Sequence, residues 1–255
     1  MNSLTVMKPL LAAISPGPAR HLAAVTTAAL LFLAGSLQAA LFSDSWSSGF
    51  ANAGVVPDGN PTGWSDTRTL SGIPDNSILD VTVTLQVSGG WNGDLYAYLV
   101  GPGGGFAVLL NRPGVTSSDA FGYSDAGLNI TLDDAAPNGD IHNYQTVAGY
   151  ATSIANGSAW APDGRVADPA SVVDTDPRTA LLSSFDGVDP NGNWTLFVAD
   201  LSDGNVSTVT SWGLQIEAVP LVVGVPDAVN TLLVLGVALS GLVWFGGCRP
   251  GQSTQ

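Results

Sequence analysis

Apolar and polar residues alternate strictly along several short runs of this chain, and that period of two excludes most architectures. In ILDVTVTLQV (Ile78–Val87), Val81, Val83, Leu85 and Val87 share one face and the threonines the other. NWTLFVADL (Asn193–Leu201) aligns Trp194, Leu196 and Val198, and SWGLQI (Ser211–Ile216) aligns Trp212, Leu214 and Ile216. Such runs are half-buried strands. The turn clusters PDGNPTG, GPGGG, DPNGN and SDGN separate them,. No segment between 41 and 217 has a helical period. The expected fold is therefore all-β, an antiparallel β-sandwich whose two layers meet through Trp194, Leu196, Trp212 and Leu214. The weakly patterned segment Ala135–Ser171 is expected to form long loops with one strand around Tyr144–Ala151.

The two ends have a different composition. Residues 1–40 carry Lys8 and Arg20 ahead of the apolar run LAAVTTAALLFLAG (Leu22–Gly35) and close on small residues at Ala39–Ala40. This is the pattern of a cleaved secretory leader, with a retained helical anchor as the alternative. Residues 228–245, AVNTLLVLGVALSGLVWF, contain no charge and are long enough for a transmembrane helix,. They follow a linker, 218–227, that ends in Val225, Pro226 and Asp227, and precede a short tail, 246–255, with Arg249. The Val-Pro-Asp signature, apolar helix and basic tail resemble the PEP-CTERM class of bacterial sorting signals. That resemblance implies an exosortase-type enzyme as partner and an exported protein at the surface or outside of a bacterium. A plain membrane anchor is the alternative. The one cysteine, Cys248, lies in that tail, so the body has no disulfide,.

Charge narrows the partners. Between Leu41 and Val225 the only cations are Arg68, Arg112, Arg165 and Arg178, against 20 acids of which only Glu217 is not Asp. Such a body repels phosphate backbones, which excludes nucleic acid binding. Divalent cations or simple solubility fit it better, and Asp also serves turns by bonding nearby backbone N–H groups.

One stretch carries more. NGDLYAYLVGPGG (Asn92–Gly104) reads as a strand, with Leu95, Ala97 and Leu99 alternating with Tyr96 and Tyr98, entered through Asp94. The longer segment Gly90–Gly114, with Gly-Asp-Leu, a Gly/Pro turn, Leu-Leu and Asn-Arg-Pro-Gly, resembles the central hairpin of the P domain (P/Homo B domain). GLNITLDDAAPNGDI (Gly127–Ile141) is similar to the acidic loop of that family. Phe185–Ile216, with Asn-Gly-Asn-Trp-Thr-Leu, Asp200 and Trp-Gly-Leu-Gln-Ile, is similar to its C-terminal hallmark. The resemblance covers roughly Trp64 to Ile216. It implies a jelly-roll sandwich and association with subtilisin-like serine endopeptidases.

The chemistry-bearing residues are few. His142 is the only histidine after the leader, and no serine sits in a Gly-x-Ser-x-Gly elbow, so catalysis by the chain's own residues is the least favoured reading,. Calcium is the expected cofactor if there is one. It takes oxygen ligands on loops, and Asp94, Asp133, Asp134, Asp140, Asp189, Asp200 and Asp203, with Asn191, are the candidates. The alternative for each Asp is a turn-forming role. Trp46, Trp64, Trp91 and Trp160 fall near turns; Trp64 and Trp91 are the candidate ligand-facing aromatics, with burial as the alternative. Three functions follow: a structural or binding module, an accessory to a separate subtilisin-like peptidase, or an adhesion protein for extracellular polysaccharide.

Overall fold

A computed structural model describes residues 38–220. The leader core, the Val225-Pro226-Asp227 motif and the apolar segment 228–245 lie outside the described residues. No helix among the described residues is long and apolar enough to cross a membrane.

Nine strands form two sheets. They are β1 (Ala40–Trp46), β2 (Asn60–Leu70), β3 (Ser77–Gly89), β4 (Leu95–Val100), β5 (Phe106–Asn111), β6 (Leu128–Leu132), β7 (Ile154–Trp160), β8 (Gly192–Asp200) and β9 (Ser207–Val219). The first sheet has the order β1-β9-β3-β6-β7 and the second β2-β8-β4-β5. All neighbours are antiparallel except β6 and β7, which run parallel. The all-β sandwich expected from period two is the observed fold.

Alternation decides which side chains meet between the layers. Val81, Val83, Leu85 and Val87 of β3 and Trp212, Leu214 and Ile216 of β9 are buried from one sheet. Leu95, Ala97 and Leu99 of β4 and Trp194, Leu196 and Val198 of β8 are buried from the other. Burying each aliphatic side chain contributes about 1.5–3 kcal/mol. At the β1 and β2 edge the core is closed by Trp46, whose ring lies 4.5 Å from that of Trp212. Asp66 accepts from the Trp212 indole at 2.7 Å and from Arg68 Nε at 2.6 Å. The Arg68 guanidinium stands 5.5 Å from the rings of both Trp46 and Phe50, so a charged pair and two rings together seal the seam,.

The chain enters β1 and leaves β9 at the same end, where Ala40 pairs with Ala218. At the opposite end Gly89 pairs with Ser207 and Leu95 with Asp200, and the Ser207 hydroxyl donates to Asp200 Oδ2 at 2.8 Å, linking the two sheets.

Two expectations are corrected. The segment around Tyr144–Ala151 is not a strand; Ile141–Thr146 is a 3-10 turn, and the strand of that region is Ile154–Trp160. Trp64 is not a ligand-facing aromatic. It is 5% exposed, and its indole donates to the Ala51 carbonyl at 2.8 Å, because the inward register of β2 carries it into the core.

Candidate functional site

The aspartates picked out as metal candidates fall in several places. Asp94 and Asp200 come together at the end of the sandwich opposite the Ala40–Ala218 pair. Both are buried there, and desolvation pushes both carboxyls above their ordinary range. Asp94 is also held by Ser202 and by Arg112, whose Nη2 lies 3.9 Å away. The reason for Gly-Asp at this turn is steric. A side chain on Gly93 would meet the carbonyl of Phe121 at 2.5 Å, so glycine lets the 121–123 segment pack against it. Asp203 belongs to the same end, in the turn where Asp58 accepts from the Gly204 amide.

The remaining candidates are engaged in local structure. Asp134 accepts from the amides of Leu182 and Ser183, capping the 3-10 turn Leu182–Phe185. Asp133 accepts from the Ala135 amide, and Asp189 from the backbone and side chain of Asn191. Among the described residues no group of three or more His, Cys, Asp or Glu is arranged to hold a metal ion.

Asp140 belongs to a buried ionic network that sequence reasoning missed. It caps the turn at Ile141 and pairs with Arg165 Nη2 at 2.7 Å. Arg165 Nη1 reaches Asp163 Oδ1 at 3.1 Å, and Asp163 Oδ2 faces His142 Nδ1 at 2.8 Å. His142 is fully buried, and its Nε2 lies 2.8 Å from the Val115 carbonyl. Both ring nitrogens thus face atoms that only accept, which the imidazolium alone satisfies. Burial pulls its pKa down, but the Asp163 carboxylate and the Val115 carbonyl outweigh that and hold it above the ordinary value of 6.5. Asn111, at the end of β5, ties the network to the sheet through its amide to Asp163 and its side chain to the Arg165 and Ala167 carbonyls. This gives a physical reason for asparagine at the end of β5. Both His142 ring nitrogens are engaged, so it braces the loops between β5 and β8.

The open chemistry lies on the outer face of the second sheet. Tyr96 and Tyr98 of β4 and Phe197 of β8 project there, half-buried, by the same alternation that sends Leu95, Ala97 and Leu99 inward. They floor a groove of about 720 Å³ bounded by Pro61 and Leu201 on one side and Asp168, Pro169 and Ala170 on the other, with Arg112 at its end. Tyr98 stacks on Phe197 at 4.6 Å and 13°, with Phe106 5.3 Å from its ring and Tyr96 5.8 Å away edge-on. Gly63, in the bulge of β2, keeps the floor open: with φ +57 it takes a left-handed conformation, and a side chain there would strike Phe197 Cζ at 2.6 Å. Arg112 also has positive φ, 52°, and donates to the carbonyls of Gly93 and Ala120. Such conformations in non-glycine residues persist where surrounding contacts hold them. Beyond the groove, Thr67 and Thr195 bond each other at 2.8 Å across β2 and β8, continuing the face as a polar strip. Of the tryptophans, Trp91 is 38% exposed and Trp160 is fully buried. The signal for the groove was present in the sequence as Tyr96 and Tyr98 on one face. Phe197 joins them through the pairing of β4 with β8, and the 168–170 loop through the bonds that Asn111 and Arg112 make to the Ala167 and Pro169 carbonyls.

Among solved structures, the chain aligns with a crystal structure of the serine protease of Aeromonas sobria and with one of that protease in complex with the chaperone ORF2. The TM-scores are 0.39 and 0.41, each at 14% identity and covering 71% of this chain. The alignments cover 27% of those chains, so this chain spans about a quarter of their length. No family model and no curated protein matches the sequence.

Proposed function

We propose that the protein is an exported, non-catalytic β-sandwich that works as a binding module, with the aromatic groove of the second sheet as its binding face. The observation that supports this most is the set of Tyr96, Tyr98 and Phe197 rings left partly open on the outer face of the second sheet. A half-open apolar groove with a few polar groups at its rim is the usual form of a ligand site. The chain's one described histidine is locked between Asp163 and Val115, which removes it from work on a substrate. An accessory role beside a subtilisin-like peptidase is the second reading, favoured by the P-domain-like segments Gly90–Gly114 and Phe185–Ile216.

Photo-crosslinking tests the binding face. With benzoylphenylalanine in place of Phe197, the exported protein in its native setting is expected to give a discrete crosslinked species. The same group at Thr69, on the polar part of the same face, should give little. Equal crosslinking at both positions, or none at Phe197, would rule out the groove.

A further inference from the structure

The groove's ring geometry and charge identify its ligand more closely. We propose that it receives an extended, proline-containing peptide segment bearing a basic residue; this rests on the groove being the binding face. Three observations favour that ligand. First, the aromatic faces are turned on one another: Tyr98 is stacked with Phe197 at 13° and leans on Phe106 at 44°. A pyranose ring binds by lying on an open aromatic face. Here one face of Tyr98 is covered by Phe197 and its flank by Phe106, which leaves an aromatic-lined groove rather than an open platform, the kind of surface that takes polyproline II segments,. Second, the hydroxyls of Tyr96 and Tyr98 have no internal hydrogen bond among the described residues, so they are donors for the carbonyls of an extended chain, which lacks internal hydrogen bonds of its own. Third, among the described residues the one acid lining the groove is exposed while the one cation is engaged. Asp168 is exposed at the rim, and Asp163 and Asp168 both act on Tyr96. The only cation lining the groove, Arg112, already serves the carbonyls of Gly93 and Ala120. A Lys or Arg on the incoming segment therefore has Asp168 to meet, and an acidic segment is repelled.

The test is fluorescence anisotropy of the full chain with a labelled synthetic peptide, Ala-Pro-Pro-Ala-Pro-Pro-Arg-Ala. Companion probes replace each Pro by Gly or the Arg by Glu, and a β-linked glucose hexasaccharide serves as competitor. Saturable binding of the first peptide is expected, weaker by about tenfold or more for both altered peptides, the equivalent of 1.4 kcal/mol. Tyr98→Ala should weaken it by a similar factor while the melting temperature changes little, since the ring is on the outer face. Asp168→Asn, at an exposed position, should weaken only the Arg-bearing peptide, by about two- to fivefold, and flatten its salt dependence. Equal affinity for the Gly peptide, or no saturable binding up to millimolar peptide, overturns the assignment. Binding of the hexasaccharide that Tyr98→Ala abolishes would also overturn it, while leaving the groove as the binding face. Failure of the Phe197 crosslink would remove the face itself.

Discussion

Replacing Trp194 with alanine is expected to destabilise the sandwich by about 3–5 kcal/mol, the range for deleting a fully buried large aromatic. The ring has no exposed surface, lies 4.9 Å from that of Phe185, and its indole donates to the Pro190 carbonyl at 2.9 Å. The substitution leaves both a cavity and an orphaned acceptor. Gly101 has been kept small to admit the ring: a side chain there would meet Trp194 at 2.9 Å. For a domain of this size the melting temperature should fall by roughly 6–20 °C. The control is Thr195→Ala, one residue along and facing outward, which should stay within about 0.5–1 kcal/mol. Equal losses at both positions in thermal denaturation would contradict the inward–outward alternation of β8.

The second large effect is expected at Asp163. Its carboxylate lies between His142 and Arg165, all three buried. Asp163→Asn keeps the shape and removes the charge, leaving a buried imidazolium without its anion and Arg165 with Asp140 alone. Breaking a buried pair in this way costs about 3–5 kcal/mol. The pH dependence gives a distinct signature. In the native protein the His142 pKa is raised above 6.5, so its contribution is fully present below that value and is lost as pH rises through the folded value,. Asp94 and Asp200 act in the same direction but at lower pH. Their folded pKa values are raised above 3.8, so the stability they add is present below that value and lost as pH rises past it,. Unfolding measured from pH 6 to pH 9 should therefore show stability falling in the native protein. In Asp163→Asn the decline should be smaller, because the His142 imidazolium has lost the partner that stabilised it. A native profile flat across this window would contradict the charged assignment of His142.

The parts of the fold legible in the sequence were those where one face of a strand is buried. In the middle of β3, β8 and β9 the period is clear, with Val81, Val83, Leu85 and Val87, Trp194, Leu196 and Val198, and Trp212, Leu214 and Ile216 all buried; bulges interrupt it only towards the ends of β3 and β9. β7 was missed because IANGSAW is an edge strand of the first sheet, paired only on one side. Only Ile154 and Trp160 of it are buried at the ends, so no alternation shows. The strand expected around Tyr144–Ala151 does not form, and Tyr144 is buried outside any strand. Its hydroxyl bond to Asp125 and the Asn92 side chain instead fix it in a 3-10 turn. Trp64 was read by its nearness to turns, but a strand's register, not its distance from a turn, decides burial. The ionic network was invisible because its members lie in loops, and neither loop pattern nor spacing marks pairs such as Arg165 and Asp140 or His142 and Asp163. For the groove, the sequence displayed Tyr96 and Tyr98 on one face. It did not show that cross-strand pairing brings Phe197 opposite Tyr98 or that the 168–170 loop forms the second wall.

Hydroxyl-radical footprinting of the full chain in the cells that produce it, compared with the purified chain, addresses the binding face without choosing a ligand. Tyr96, Tyr98 and Phe197 should become protected, while Phe121, 71% exposed and outside the groove, should react as before. Unchanged reactivity at the three rings, with protection elsewhere on the sandwich, would contradict the assignment of this face.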